Sequence, residues 1–405
     1  MRLANRYAWY TCVAAALVAG CAGSPGPTSG FIAFPPNIGS AARAAQSIGS
    51  SSYSTIYNFT GGADGAGPRA ELLAAEGLLF GTAPAGGRSG DGTVFDVSLA
   101  GVERTLHTFH KHRGGGKPLA GLIEVNNVFY GTANGGSYAN GAVFSITKNG
   151  RIRILHRFTG KTDGEFPNGK LIEFDGALYG ATFYGGDNGF GTVFKIDPSS
   201  GYRILYSFRG LKEDGGLPVG SLVDLNGTLY GATSSFGTYG SGTIFSITPS
   251  GEEHVIYNFM GLYGSRVDGE EPEAGLVAVN GTLYGTTYEG GWNRGGIIFS
   301  VTPSGEEKLL FSLGNDQPWY SSGLLAYNRG WLYGTGTFGG AHDGGGVFRF
   351  NIASGKEQLL HSFALDSTGE GRFPKAGLTE YKGKFFGTTS AGGVSDDGTV
   401  YEIAP

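Results

Sequence analysis

The sequence predicts an all-β fold, a seven-bladed β-propeller of four-stranded antiparallel blades. Three observations carry this. Three short motifs each recur seven times, copies stand 49 to 54 residues apart, and the chain opens and closes on complementary fragments of one repeat. Composition agrees: 76 of 405 residues are Gly, alongside 27 Phe, 21 Tyr and 4 Trp. Disordered Gly-rich chains lack such aromatics, so many short packed strands joined by tight turns are implied. The formal net charge is −5 and the longest basic block is His110-Lys111-His112-Arg113, which excludes a nucleic-acid groove.

The amino terminus reads as an export signal. Arg2 and Arg6 precede an apolar run over residues 8–18, too short to span a bilayer, which takes about 20 residues. Leu17-Val18-Ala19-Gly20-Cys21 resembles a bacterial lipobox, whose Cys is acylated and becomes the first residue. The other cysteine, Cys12, lies inside the apolar run, so an exported chain would have no disulfide framework. The expectation is a signal peptide over residues 1–20, a Ser/Gly/Pro-rich flexible tether over 21–52 and the propeller over 53–405. The protein is then exported and lipid-anchored to the bacterial cell envelope, at the outer membrane or cell surface, with the membrane as partner through Cys21.

The repeat over residues 275–313 shows the blade. Residues 275–279 form a first strand, and Asn280-Gly281 is a hairpin turn in which both residues accept φ > 0. Residues 282–287 form the second strand, 289–295 a Gly-rich loop, 297–301 the third strand, Pro303-Ser304-Gly305 a turn, and 307–313 the fourth strand. A small twisted sheet buried on both faces must pack on copies of itself, and twist rotates successive copies into a ring. Residues 53–59 read as a lone fourth strand and 398–403 as a lone third strand, so pairing them would complete the seventh blade and close the ring.

Leu178 to Phe194 reads LYGATFYGGDNGFGTVF and Leu283 to Phe299 reads LYGTTYEGGWNRGGIIF. These segments resemble the bacterial GloVer-type tandem repeat, and the resemblance covers residues 53–405. It implies a secreted or surface-anchored propeller and no defined activity.

Function is expected on the loops between second and third strands and between fourth and first strands, which share one face. The fourth-to-first loops each contain a Pro: Pro68, Pro118, Pro167, Pro218, Pro272, Pro318 and Pro374. Asp64, Asp163, Asp214 and Asp268 precede it, and as turn residues they cap their own backbone. The second-to-third loops carry Asp residues too sparse for the six to eight oxygens of calcium, so no metal or cofactor is expected. They also carry aromatics, and the candidate ligand-binding set is Tyr184, Tyr239, Tyr288, Trp292, Trp319 and Tyr320. Of the His residues, His107, His156 and His361 share one strand position with Tyr and Phe, which reads as packing. No metalloprotease, nucleophile-elbow or phosphate-loop motif occurs. The reading is a non-enzymatic platform for protein or carbohydrate. The alternatives are a polysaccharide-active enzyme using Glu124, Glu173, Asp224 and Glu380, and a purely architectural envelope component.

Overall fold

A computed structural model describes residues 51–110, 115–135, 140–197, 200–261, 267–314, 317–365 and 369–405. The signal peptide, Cys21, nearly all of the tether, Tyr138 and His112 lie outside them. The described residues form seven blade sheets whose main strands run antiparallel with sequential strands as neighbours, together with a separate two-stranded ladder of Gly269–Glu270 and Glu289–Gly290. Blade 4 is typical, with strands Gly215–Leu225, Thr228–Phe236, Thr243–Ile247 and Glu253–Asn258. The expected closure is present: Ser52–Asn58 pairs antiparallel with Thr399–Ala404, from Ser52 opposite Ala404 to Asn58 opposite Thr399. Asn280 and Gly281 both adopt positive φ, 50° and 81°, as the hairpin turn between them requires.

Each recurrent motif has a packing reason. In the aromatic-Gly-Thr/Ala motif the Gly pairs across strands with the ring that ends the second motif, as Gly231 pairs with Phe245. A Cβ on Gly231 would stand 2.5 Å from the Phe245 ring and 2.8 Å from Leu222, so only Gly admits the ring. The same sandwich recurs at Gly81, Gly131, Gly180, Gly285, Gly334 and Gly387. In the third motif the aliphatic residue is the extra residue of a β-bulge: Ile56, Leu106, Leu155, Leu205, Ile256, Leu310 and Leu360 are each skipped by the ladder. The bulge bends the outer strand, and the terminal Phe then enters the core, with Phe59, Phe208, Phe259 and Phe363 fully buried.

The core is seven clusters, each between consecutive blades. The third-motif Phe of one blade meets the second-motif ring of the next edge-on, with centroids 5.0 Å apart for Phe59–Phe95 and 5.1 Å for Phe259–Phe299. Such a pair adds about 0.5–1.5 kcal/mol to its buried area. Leu313 replaces the Phe between blades 5 and 6 and packs there without a ring pair.

Two expectations need correction. The second-to-third connections are not free loops where they leave the strand, because the chain arriving from the preceding blade pairs with them. Examples are Gly269–Glu270 with Glu289–Gly290, Pro318–Trp319 with Phe338–Gly339, and Gly371–Pro374 with the end of Lys384–Gly392. Backbone polar groups near the channel must find partners, and this added ladder supplies them. Pro318 is not equivalent to the other six prolines. Each of those follows the residue whose amide reaches back to the preceding blade, as Lys117 does to Asp91, Phe166 to Asn140 and Glu271 to Ser241. In blade 6 that residue is Tyr320, bonded to Gly295, so Ser321 holds the Pro position.

Candidate functional site at the channel mouth

The phrase after the shared position is x-small-x-Leu in every blade, and it builds the throat of the central channel. The middle ring is Ala70, Ala120, Gly169, Gly220, Ala274, Gly323 and Ala376. Neighbouring backbones touch there: a Cβ on Gly169 would lie 1.9 Å from the Gly220 carbonyl, and one on Gly323 2.6 Å from the Ala376 backbone. This is why the position stays small. Threonines of the first motif fasten the ring from the preceding blade. Thr82, Thr132, Thr335 and Thr388 donate to the carbonyls of Ala120, Gly169, Ala376 and Ala70.

Above the small ring, toward the mouth, stand Arg69, Leu119, Asn168, Glu273, Ser322 and Lys375 around a cavity of 120 Å³. Below it, Lys170 donates to Glu71 at 3.1 Å, an ion pair that skips the intervening blade. Burial pushes the Glu273 carboxyl up to about 7, with Glu271 raising it further. Burial lowers the Lys375 ammonium and the neighbouring Arg69 charge lowers it again, while Glu273 opposes both. Arg69 opens to water in the channel, yet the surrounding protein still disfavours its charge.

Around the mouth, the paired positions of the added ladder differ in bulk from blade to blade, with Glu165 and Tyr184 in blade 3 and Arg372 and Ala391 in blade 7. Blades 1, 2 and 4 present Ala66 with Ala85, Gly116 with Gly135, and Gly216 with Ser235. Blades 5 and 6 present Glu270 with Glu289 and Trp319 with Phe338. On that side Tyr288 and Tyr320 stack at 4.3 Å and 14°, Trp319 lies 4.4 Å from Tyr320, and Phe373 lies 5.3 Å from Phe338. Burial raises the Tyr288 and Tyr320 hydroxyls; Glu273 adds to this at Tyr288, and Glu289 at both. The half-buried rings therefore border the throat acid.

Of the residues singled out from sequence, Tyr288, Trp319 and Tyr320 come together here. Tyr184 lies in blade 3, 4.7 Å from Phe183, and its backbone pairs with Glu165. Tyr239 and Trp292 are exposed on loop tips, Trp292 at 74%, outside the aromatic cluster. The throat residues Arg69, Glu273 and Lys375 and the ring of Phe373 escaped the sequence reading. The signal for Arg69, Glu273 and Lys375 was the variable position directly after the repeated Pro, which draws no attention until the ring closes.

Recurrent acids at the opposite end serve the turns. Glu173 accepts from the Gly176 amide at 2.8 Å, Asp224 from Gly227 at 3.0 Å, and Glu380 from Gly383 at 2.7 Å. Glu124 pairs with Lys148 at 3.2 Å. The loop aspartates cap backbone as expected: Asp64 accepts from the Thr60 amide and Asp268 from Met260, both at 2.8 Å. They also anchor a strand ring, since the Tyr57 and Tyr257 hydroxyls donate to Asp64 and Asp268. Glu370 takes the aspartate's place opposite His361 at 2.5 Å. The His positions are thus packing and latching positions.

Comparison with known proteins adds the following. No curated protein matches the chain by sequence. Among solved structures it is similar to a candidate 6-phosphogluconolactonase from Bacteroides uniformis, at 15% identity and a TM-score of 0.50, covering 76% of this chain and 88% of that one. It is also similar to one of two prolyl endopeptidases, at 10% identity and a TM-score of 0.44, over 71% of this chain and 41% of that one. At these identities the first likeness speaks to the fold alone. The model of the Gloeobacter/Verrucomicrobia repeat matches residues 44–172, 101–266 and 233–405, and with its blades accounted for residue by residue, the chain belongs to the Gloeobacter/Verrucomicrobia repeat family.

Proposed function

We infer that the protein is a cell-envelope lipoprotein whose propeller is a non-enzymatic platform binding carbohydrate at the channel mouth. One observation carries the reading: Tyr288, Tyr320, Trp319 and Phe338 gather at blades 5 and 6, and Trp319 and Phe338 hold paired positions where blades 1, 2 and 4 have Ala, Gly or Ser. Sugar rings stack on such faces, and the Tyr hydroxyls supply hydrogen bonds at the same edge. The recurrent strand acids are engaged in turns, which favours binding over hydrolysis. The polarity of the chain supports the anchor. Ser52 starts the closing strand at the end bearing the first-to-second turns, away from the mouth.

The test is calorimetric titration of the full chain in detergent with a panel of neutral and acidic oligosaccharides. At least one is expected to bind, and Tyr320→Ala and Tyr288→Ala each to weaken it by about tenfold or more. Trp292→Ala, at the exposed loop tip, should leave affinity within about twofold. Saturable binding untouched by the Tyr variants would move the site elsewhere. Cys21→Ser is expected to shift the protein from the membrane to the soluble fraction; retention in the membrane would sink the lipid anchor.

A further inference from the structure

Arg69 and Lys375 hold the same register position in consecutive blades, one residue above the small ring. Those blades are fastened directly, by Thr388 of the second strand donating to the Ala70 carbonyl and Thr379 of the first strand to Leu72. The two cations are close enough for Arg69 to lower the Lys375 ammonium. Among the described residues neither has a carboxylate within ion-pair distance. Two other cations of the channel are paired: Lys170 with Glu71 and Arg372 with Asp396. Glu273 offsets part of the Lys375 charge from the same ring, and a bound anion relieves the repulsion that remains between two adjacent, partly desolvated cations.

The same ring holds a second unmet group. The Asn168 side-chain oxygen is buried without a hydrogen-bond partner, and as an acceptor it calls for a donor such as a sugar hydroxyl, not for the carboxylate. Further out, the positive side of the mouth continues with exposed Lys117, over the blades whose paired positions are Gly and Ala. The aromatic stack borders the opposite side, and the Lys170–Glu71 pair lies beneath. An elongated ligand would meet cations at one end and ring faces along its flank.

We propose, resting on the carbohydrate reading above, that the ligand is an acidic saccharide whose carboxylate sits between Arg69 and Lys375 while its sugar rings lie against Tyr320 and Tyr288. A monoanion suits the throat better than a phosphate dianion. Glu273 shares the ring, and its own charge opposes a second negative charge. Its neutral form can donate a hydrogen bond to the same carboxylate. Arg offers a fork matching a carboxylate's two oxygens, and Lys adds a point charge beside it. The 120 Å³ cavity admits a carboxylate and the adjoining carbon rather than a whole sugar ring, so the sugar stays in the mouth.

The experiment compares two tetrasaccharides of identical backbone, a β-1,4-linked glucuronic acid tetramer and cellotetraose, by calorimetry on the full chain. The acidic sugar is expected to bind at least tenfold more tightly at 50 mM salt, the margin narrowing at 500 mM. Arg69→Gln with Lys375→Gln should erase the margin by bringing the affinity for the acidic sugar down to that for cellotetraose. The conservative pair Arg69→Lys with Lys375→Arg should keep it, which separates lost charge from lost fold. Equal affinity for the two sugars, or a margin that survives the double Gln variant, overturns the anion site and leaves the carbohydrate reading standing. No binding of either sugar, with Tyr320→Ala indistinguishable from wild type, overturns both. A tenfold preference for cellobiose 6-phosphate over the uronate overturns the carboxylate assignment.

Discussion

At the residue scale, acids and bases mark where consecutive blades latch together. The first or second residue of a fourth strand sits beside the strand ring of the preceding blade: Glu103 by Tyr57, Glu253 by Tyr206, Tyr53 by His361, Tyr202 by His156. The two His positions are stacked, at 4.0 Å for Tyr53–His361 and 3.7 Å for His156–Tyr202. Burial lifts Glu253 to about 7, with Asp214 raising it and Tyr206 and Arg209 opposing, and burial alone lifts Glu357 to about 7. One carboxyl oxygen of each is buried without a partner. Each acid holds a proton in the folded state above the pH at which the unfolded chain has released it. Stability from these groups is therefore full below about 4.5 and falls as pH rises to about 7. Glu253→Gln and Glu357→Gln should each raise Tm at pH 8 by about 2–4 °C and change it little at pH 4.5. An equal shift at both pH values in differential scanning calorimetry would mean that the carboxyl charge is not the cause.

At the scale of elements, the variation between Thr and Ala in the first motif becomes intelligible. A Thr there donates across the blade boundary to the small ring, and Ala181 and Ala232 forgo the bond in blades 3 and 4. Thr335 makes the bond at 2.8 Å, whereas the buried Thr286 hydroxyl has no partner. Thr335→Ala strands the Ala376 carbonyl and should cost about 1–2 kcal/mol in urea unfolding. Thr286→Val, which removes an unmet polar atom while keeping shape, should be neutral or stabilising. Equal losses in both would assign the effect to packing. The same view accounts for the seven bulges. An extra residue on the outer strand lets the third motif turn its last ring into the next blade, so bulge and Phe form one device.

At the scale of the molecule, closure depends on Ser52–Asn58 occupying the outer edge of the last blade. Removing residues 1–59 exposes the Thr399–Ala404 edge and deletes Phe59, which packs between blades 7 and 1. Such a chain should aggregate, or melt well below the full-length protein, in size-exclusion chromatography and calorimetry. A monomer of unchanged Tm would show that the ring holds without its clasp. Sequence determined the blade count, the strand order, the hairpin turns and the closing pair, because these follow from local periodicity and turn chemistry repeated seven times. It also exposed Tyr288, Trp319 and Tyr320 as candidates, since bulky rings stand out against Gly-rich loops. It misplaced Pro318, because spacing alone cannot register a segment whose pairing partner lies in another loop. Only the tertiary structure assembled Arg69, Asn168, Glu273 and Lys375 into one throat. Those residues come from blades 1, 3, 5 and 7, at most 306 positions apart in the chain, and they become neighbours only because the twist of seven sheets brings the last blade back to the first.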